Sequence, residues 1–574
     1  GLLPLTQFLG STFPQLKFIP ETVRNLGKLS EAAFKLVVHL EELKNNGLAW
    51  LTNQRGALVI KSLEGLQTNI AQIASLNTDF QNQGAQIGYP LANDFLSLNI
   101  NLSKTENFLK SFIDWFKNQG EKHFLILFQN PSELRPSGGF LGSYAELLLT
   151  ANGLQEIKVW DIYDPDGQLG LKIVPPKPLQ GLTLQWGARD ANWFFDFPTS
   201  AQKVIKFLEA SKIYRERLTA FDGAMAINVE VIKTLLDIVG PIELPEYGLT
   251  VSSQNFLPEI QREIESGRSN QAHEPKRILK ILTPLLFQKI TEFDDQRQKT
   301  LFQELKNHIE KKDIMIYFKD LEIENYLKNS GLAGEVLALP KNFEGDYLAV
   351  VTANVAGGKS DAFVSQKIKL SSKIDAEGRI DNYLVIERNH TGHREKDPWY
   401  QSTNKSYVKI FAPKGSRLGY MSGQELKIIK PQINYLKAGY LIDQDLGAVE
   451  ATGQAIKEFD AEQFEESDKT VFASWLNVKA GTAKKLELQY FNPKKLTLRD
   501  QPLSYQFIFE KQSGARTDLD FLIEAPPGYR WQENREAIFN YVTHDPPARV
   551  IIDLTLLRDL RVHQRWFLFF GRER

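Results

Sequence analysis

The sequence predicts a multidomain α+β chain, and three observations carry that reading. Apolar residues recur at helical spacing up to about residue 120, strands and helices alternate to about residue 337, and short β-rich runs bounded by turn residues fill the remainder. At 574 residues the chain exceeds the size at which one hydrophobic core keeps growing, so about three or four domains are expected. The boundaries fall at 1–120 for a helical region, 121–337 for an α/β layer structure with a mixed sheet, and 338–455 and 456–574 for two β-sandwiches.

In the first region Val23, Leu26, Leu29, Ala33, Leu36, Leu40 and Leu43 recur at steps of three and four, one buried helical stripe between Glu21 and Leu51. Ala57 to Leu76 and Lys104 to Phe116 repeat the pattern, with a turn at Gly88-Tyr-Pro90 between them. The region reads either as a bundle packing on itself or as a membrane-proximal stalk.

From Lys122 the period changes. Phe124-Leu-Ile-Leu-Phe128 is the continuous apolar run of a strand buried on both faces. Leu141 to Thr150 and Leu154 to Trp160 flank Asn152-Gly153, whose tolerance of positive φ predicts a type I′ hairpin. Thr199-Ser-Ala-Gln202 reads as a capping box, and Asn228 as the cap of a helix that Gly240 stops. Helices over Asn255 to Glu265, Pro275 to Phe293 and Leu301 to Glu310, a strand at Ile314 to Phe318 and a helix at Leu321 to Ser330 complete the layer.

Beyond Ala338, strands are expected at Phe363 to Ile374, Asn382 to Glu387, Tyr407 to Ala412, Val471 to Val478, Ala483 to Phe491, Leu503 to Glu510 and Arg549 to Leu554. The acidic stretch Asp460 to Asp468 reads as a surface crossing near the 455 boundary.

Composition removes several classes. With 69 basic against 70 acidic residues the net charge is -1, which argues against nucleic-acid binding. The absence of cysteine excludes disulfides, thiolate metal sites and a Cys nucleophile. No run of about 18 apolar residues occurs to span a bilayer; because the chain begins at Gly1, a preceding membrane anchor is an expectation. Gly357-Gly-Lys-Ser360 mimics the end of a P-loop, but Ala353 stands where its first glycine belongs. Eight scattered histidines give no metal-ligand spacing.

One constellation stands out. In Asn130-Pro-Ser-Glu-Leu-Arg-Pro-Ser-Gly-Gly139, Arg135 precedes Pro136, which fixes the backbone, and Gly138-Gly139, where backbone can approach a ligand. Arginine's planar fork suits phosphate oxygens. Arg189 lies shortly before a helix N-terminus, a second anion-favouring feature. Asp161, Asp164, Asp166 and Asp190 could hold a hard divalent cation against the phosphates. The alternative is structural: Arg135 and Arg189 pair with Glu133, Asp190 or Asp196 and pin the loops.

The ordered motifs Gln129-Asn130-x-x-Glu133-Leu-Arg-Pro136-x-Gly-Gly139, Asp161-x-Tyr-Asp164-x-Asp-Gly167, Arg189-Asp-Ala-Asn-Trp193, Asp222-Gly223 and Gly240-Pro241 resemble an uncharacterised bacterial surface family, the domain of unknown function numbered 4012. That family is distantly similar to the LytR-CpsA-Psr proteins, which transfer glycopolymers from polyprenyl pyrophosphate to the cell wall through an α/β/α sandwich. The resemblance implies an extracytoplasmic, membrane-anchored cell-surface protein, attached through a segment absent from this chain. It implies a glycopolymer phosphotransferase, with a lipid-linked glycan and a cell-wall polymer as partners and homo-oligomerisation a further option. Arg135, Arg189 and Asp190 would be catalytic; Asn130, Gly138, Gly139, Asn192 and Arg277 would bind ligand; Asp161, Asp164 and Asp166 would hold Mg2+. The transferases' second arginine pair has no counterpart here beyond Arg277. The competing expectation is a non-enzymatic surface scaffold or adhesion protein with a repurposed core.

Overall fold

The computed structural model describes residues 19–86, 93–118, 120–269 and 276–559. It is a mixed α/β structure with several sheets and an N-terminal helical region. Helices α1 (Ile19–Thr52), α2 (Gly56–Gln86) and α3 (Asn93–Lys117) match the three periodic stretches, and the expected turn at Gly88-Tyr-Pro90 lies outside the described residues. Leu63, Leu66 and Ile70 of α2 pack against Leu109 and Ile113 of α3. The helices also dock on the next layer, where the Trp115 indole donates to Asp222 at 3.0 Å.

The central sheet comprises β1 (Lys122–Arg135), β2 (Gly138–Thr150), β3 (Gly153–Asp161), β4 (Phe221–Asn228) and β5 (Ile314–Phe318), in the order β3-β2-β1-β4-β5. It is mixed as expected, because β1 and β4 run parallel while the other pairs are antiparallel. One face packs on α4 (Phe197–Ala210) through Leu125 and Leu127. The other, through Ile126 and Phe128, meets α5 (Val229–Val239), α7 (Arg277–Thr291) and α8 (Asp295–Glu310); α6 (Phe256–Ser269) joins α5 and α7 in the adjoining core. Alternation along β1 is what divides these two cores.

Local corrections have simple causes. The β2–β3 hairpin closes on Thr150 opposite Gly153, and only Gly153 takes a positive φ, +114°, so the turn is not type I′. Helix α4 is capped by Asp196, whose carboxylate accepts from Thr199 N at 3.0 Å, three residues upstream of the expected box. Asn228 caps α5 by accepting from Glu230 N at 2.8 Å, and Gly240 ends it at φ +86°, as expected.

The C-terminal part forms two larger sheets. The first strands are β6 (Gly345–Asn354), β7 (Val364–Ile374), β8 (Ile380–His390), β9 (Asn404–Pro413) and β10 (Arg417–Ser422). They are followed by β11 (Gln454–Ile456), β12 (Ala461–Glu466), β13 (Lys469–Val478), β14 (Ala483–Phe491), β15 (Leu503–Glu510), β16 (Thr517–Glu524), β17 (Tyr529–Trp531), β18 (Ile538–His544) and β19 (Arg549–Arg558). The orders are β10-β14-β8-β7-β16-β18 and β11-β12-β13-β9-β6-β15-β19-β17. Both sheets feed one hydrophobic core, with Phe507 stacked on Phe521 at 3.9 Å. The expected division near 455 is crossed in each sheet: β9 pairs with β13, β6 with β15 and β8 with β14. The acidic stretch at 460–468 holds strand β12 rather than a crossing, with Phe464 and Glu466 buried at alternate positions and Ala461 buried in the core on the opposite face.

Candidate functional site

Arg135 ends β1 and is buried. Its guanidinium donates from Nε and Nη2 to Asp190 Oδ1 at 3.1 and 3.0 Å, and from Nη1 to the carbonyls of Leu134 at 3.2 Å and Asn354 at 2.7 Å. Four hydrogen bonds from the five N–H groups of an arginine leave little to offer a phosphate. Arg189 lies in a short 3-10 turn, Ala188–Asp190, with Nε 3.4 Å from Asp190 Oδ2, Nη1 3.7 Å from Asp166 Oδ2 and Nη2 donating to Thr183. The structure therefore brings Arg135, Arg189 and Asp190 together, as two cations around one carboxylate. The nearby helix N-terminus is no anion site, since Asp196 already satisfies it.

The other expected ligand positions turn inward. A Cβ on Gly138 would lie 2.0 Å from Gln129 Oε1, and one on Gly139 would lie 2.2 Å from the Asn130 carbonyl carbon, so both glycines admit protein. Asn192 donates to Gly139 O at 2.6 Å, and Asn130 Oδ1 accepts from Ser132 N at 3.1 Å. Arg277 is exposed and pairs with Glu246 at 2.8 Å.

Nor do the three aspartates converge on a metal. Asp161 Oδ1 holds Lys276 Nζ at 2.6 Å and Tyr163 N at 2.9 Å, while Asp166 Oδ1 accepts from Ala188 N at 2.6 Å. Asp164 stands exposed on the short helix Tyr163–Asp166. Burial pushes the Asp166 carboxyl up to about 6, against the opposing pull of Arg189 and the backbone N–H groups of Ala188 and Arg189. No cluster of three or more His, Cys, Asp or Glu side chains suited to a metal occurs among the described residues, so the Mg2+ assignment does not fit these carboxylates.

On the other face of the sheet lies a feature that sequence spacing did not reveal. An apolar cavity of about 190 Å³ opens between β1, β4 and helices α5, α6 and α7, walled by Ile126, Phe128, Ile232, Ile260, Leu282 and Phe287 among others. An engineered cavity of about 150 Å³ accommodates benzene, so part of an apolar chain fits here. Its polar lining includes Asn130, Glu133, Gln261, Lys276 and Lys359. A register shift in β1 between Asn130 and Leu134 bulges Pro131 to Glu133 outward, which sets Glu133 against Lys359 at 2.8 Å. Gln261 donates to Ser132 Oγ at 3.1 Å and accepts from Tyr400 at 2.5 Å. Phe140 links the two regions, lining the cavity and lying 5.1 Å below the Arg135 guanidinium. The legible signal was α7, where Ile278, Leu279, Ile281, Leu282, Leu285 and Leu286 cover more than one helical face.

Fold and site together define an α/β protein with an apolar cavity against its mixed sheet, joined to a large β-rich part. A family described as "Protein of unknown function (DUF4012)" matches residues 119–264, the family that the motifs from Gln129 to Pro241 resemble. No curated protein matches the sequence. Among solved structures, a candidate nutrient binding protein from Legionella pneumophila is similar over 38% of this chain and 72% of its own, at 8% identity and a TM-score of 0.21. An M1 zinc metallopeptidase from Deinococcus radiodurans is similar over 34% of this chain and 42% of its own, at 9% identity and a TM-score of 0.14.

Proposed function

We propose that the protein is an extracytoplasmic component of the bacterial envelope that binds a polyprenyl-linked, phosphorylated glycan, the prenyl chain entering the apolar cavity and the phosphates lying at its polar lining. The cavity carries this reading. It is walled by aliphatic and aromatic side chains, and Lys276 and Lys359 supply cationic donors beside them. The LytR-CpsA-Psr likeness of the motifs supports the ligand class by analogy of fold alone. In the transfer step that likeness implies, the protein's contribution would be charge stabilisation and positioning toward a cell-wall acceptor. Lys276 and Lys359 would serve it by exchanging their present carboxylate partners, Asp161 and Glu133, for the phosphates.

The test is titration of the full chain with a polyprenyl pyrophosphate, with and without magnesium. Leu282→Trp, which fills the cavity, should weaken binding at least tenfold, and Lys359→Ala should weaken it several-fold. Equal affinity in Leu282→Trp and the parent would sink the reading. A second reading, a non-enzymatic surface scaffold, draws on the pairing of Arg135 and Arg189 around Asp190, which consumes the groups that chemistry would need. Its signature is a chain with no affinity for the lipid at all.

A further inference from the structure

Two loops far apart in sequence form one outward surface. Segment 171–186 precedes the Arg189 turn, and segment 426–442 follows β10. Val174 N donates to Leu441 O at 2.9 Å and Leu441 N to Lys172 O at 2.8 Å. Gln432 Nε2 donates to Gly181 O at 3.1 Å, and the Tyr435 hydroxyl to Thr183 O at 3.3 Å. These bonds hold the loops to each other, and the apolar side chains are left pointing out.

Leu182, Leu184, Ile428, Leu436, Leu441 and Ile442 are between 46% and 75% exposed. Single exposed leucines are ordinary, but an aliphatic set concentrated on two joined loops marks an interaction surface. The exposed charges within the two segments are positive. Neither 168–188 nor 426–442 contains an Asp or Glu, and Lys172, Lys177, Lys430 and Lys437 are exposed within them. The bordering carboxylates are engaged: Glu425 by Lys484, Asp166 by Arg189, Asp443 by Lys203 and Lys206, Asp445 by Lys203, and Glu450 by the Lys177 backbone N–H. In a chain of net charge -1 this is a local excess of positive charge.

Protruding aliphatic residues ringed by exposed lysines, with the bordering carboxylates already engaged, are complementary to an anionic bilayer surface. The apolar tips enter the boundary between headgroups and acyl chains, and the ammonium groups meet lipid phosphates. We infer that loops 171–186 and 426–442 are a membrane-docking surface for anionic phospholipid. They share no lining residue with the apolar cavity, so this inference stands apart from the proposed lipid-linked ligand.

Co-sedimentation of the full chain with vesicles of phosphatidylglycerol and phosphatidylcholine in equal parts tests it, with phosphatidylcholine alone as the control. The parent should pellet with the anionic vesicles, less so as salt rises, and remain in solution with the zwitterionic ones. Lys430→Gln with Lys437→Gln should lower partitioning about tenfold or more. Ile428→Asp with Leu436→Asp should abolish it, and the corresponding Ser pair gives the same answer should the Asp pair disturb folding as read by circular dichroism. Failure of the parent to pellet, or equal pelleting of parent and Asp pair, overturns the inference. A dimer in sedimentation velocity that the Asp pair dissolves would assign the surface to a second copy of the chain and overturn it equally.

Discussion

At the scale of single residues, Arg135 is held by acceptors from three separate segments: Asp190, Leu134 and Asn354. Removing the guanidinium leaves a buried carboxylate short of a partner and two carbonyls each short of one donor. Arg135→Ala should therefore cost about 3–5 kcal/mol, read by urea denaturation. Arg135→Lys, which keeps the charge but not the planar fork, should fall between the two. A variant as stable as the parent would return Arg135 to the role of a free phosphate ligand. Asp346 gives a pH-dependent counterpart. It is fully buried in the β core, and burial pushes its carboxyl up to about 7, against hydrogen bonds from Tyr347 N and the Asn382 amide. In the unfolded chain the same group titrates near about 4, so between these values the folded state holds the proton more tightly. The stability this confers is complete below about pH 4 and is lost as pH rises through about 7, a total on the order of 4 kcal/mol. Denaturation midpoints of Asp346→Asn should lack this component of the slope, and parallel pH profiles for parent and variant would refute the argument.

At the scale of elements, the tip of the β2–β3 hairpin meets the α1–α2 turn almost backbone to backbone. Gly56 N donates to Asn152 O at 2.8 Å, and a Cβ on Gly153 would sit 2.3 Å from Leu51 O. Since Gly153 also has φ +114°, Gly153→Ala combines strain with a clash and should cost about 1–3 kcal/mol. Hydrogen exchange should then quicken near the end of α1 and the start of α2, whereas exchange confined to the hairpin would contradict the docking. The sequence marked this turn through Asn152-Gly153 but not its partner, which arrives from a helix far upstream. Other elements were legible to the residue: β5, β14 and β15 have the expected bounds, because each is a β-rich run between turn residues. Strand β6 leaves no such mark in the sequence. Every one of its residues is buried, so it shows no alternation, and its Asp346, Thr352 and Asn354 look like turn residues until their partners are known. The cap of α4 was displaced for a similar reason, since Asp196 serves Thr199 N and also Val336 N, a contact with no trace in local spacing.

At the scale of the molecule, the expected boundary at 337 is bridged by buried polar bonds rather than by a loose linker. Asp361 accepts from Leu134 N at 3.1 Å, Asn354 at 2.7 Å, Asn404 at 2.8 Å and the buried Arg388 at 3.1 Å. Gln512 donates to the carbonyl of Arg135 at 2.9 Å, and Lys409 reaches Glu466 at 2.6 Å, whose other oxygen accepts from Phe195 N. One apolar core likewise draws Leu127 and Phe197 from the α/β part together with Val351, Phe411 and Trp475 from the β-rich part. This is why the candidate site was only half legible. Arg135, Arg189 and Asp190, which the motifs single out, are neighbours, but the acceptor that completes Arg135, Asn354 O, lies across the supposed boundary, as does Lys359 beside the cavity. A boundary crossed by buried charges should not behave as one in unfolding. Cutting it would leave Asp361 and the Asn354 carbonyl on one side and the Leu134 amide and Arg135 on the other, each short of a partner that water replaces poorly inside a core. The segment 121–337 expressed alone is accordingly expected not to reach a native fold, and calorimetry of the full chain should show residues 121–559 melting in one cooperative transition. Two resolved transitions, with the 121–337 segment reproducing one of them, would instead make the α/β part an autonomous domain and its buried network a mere interface.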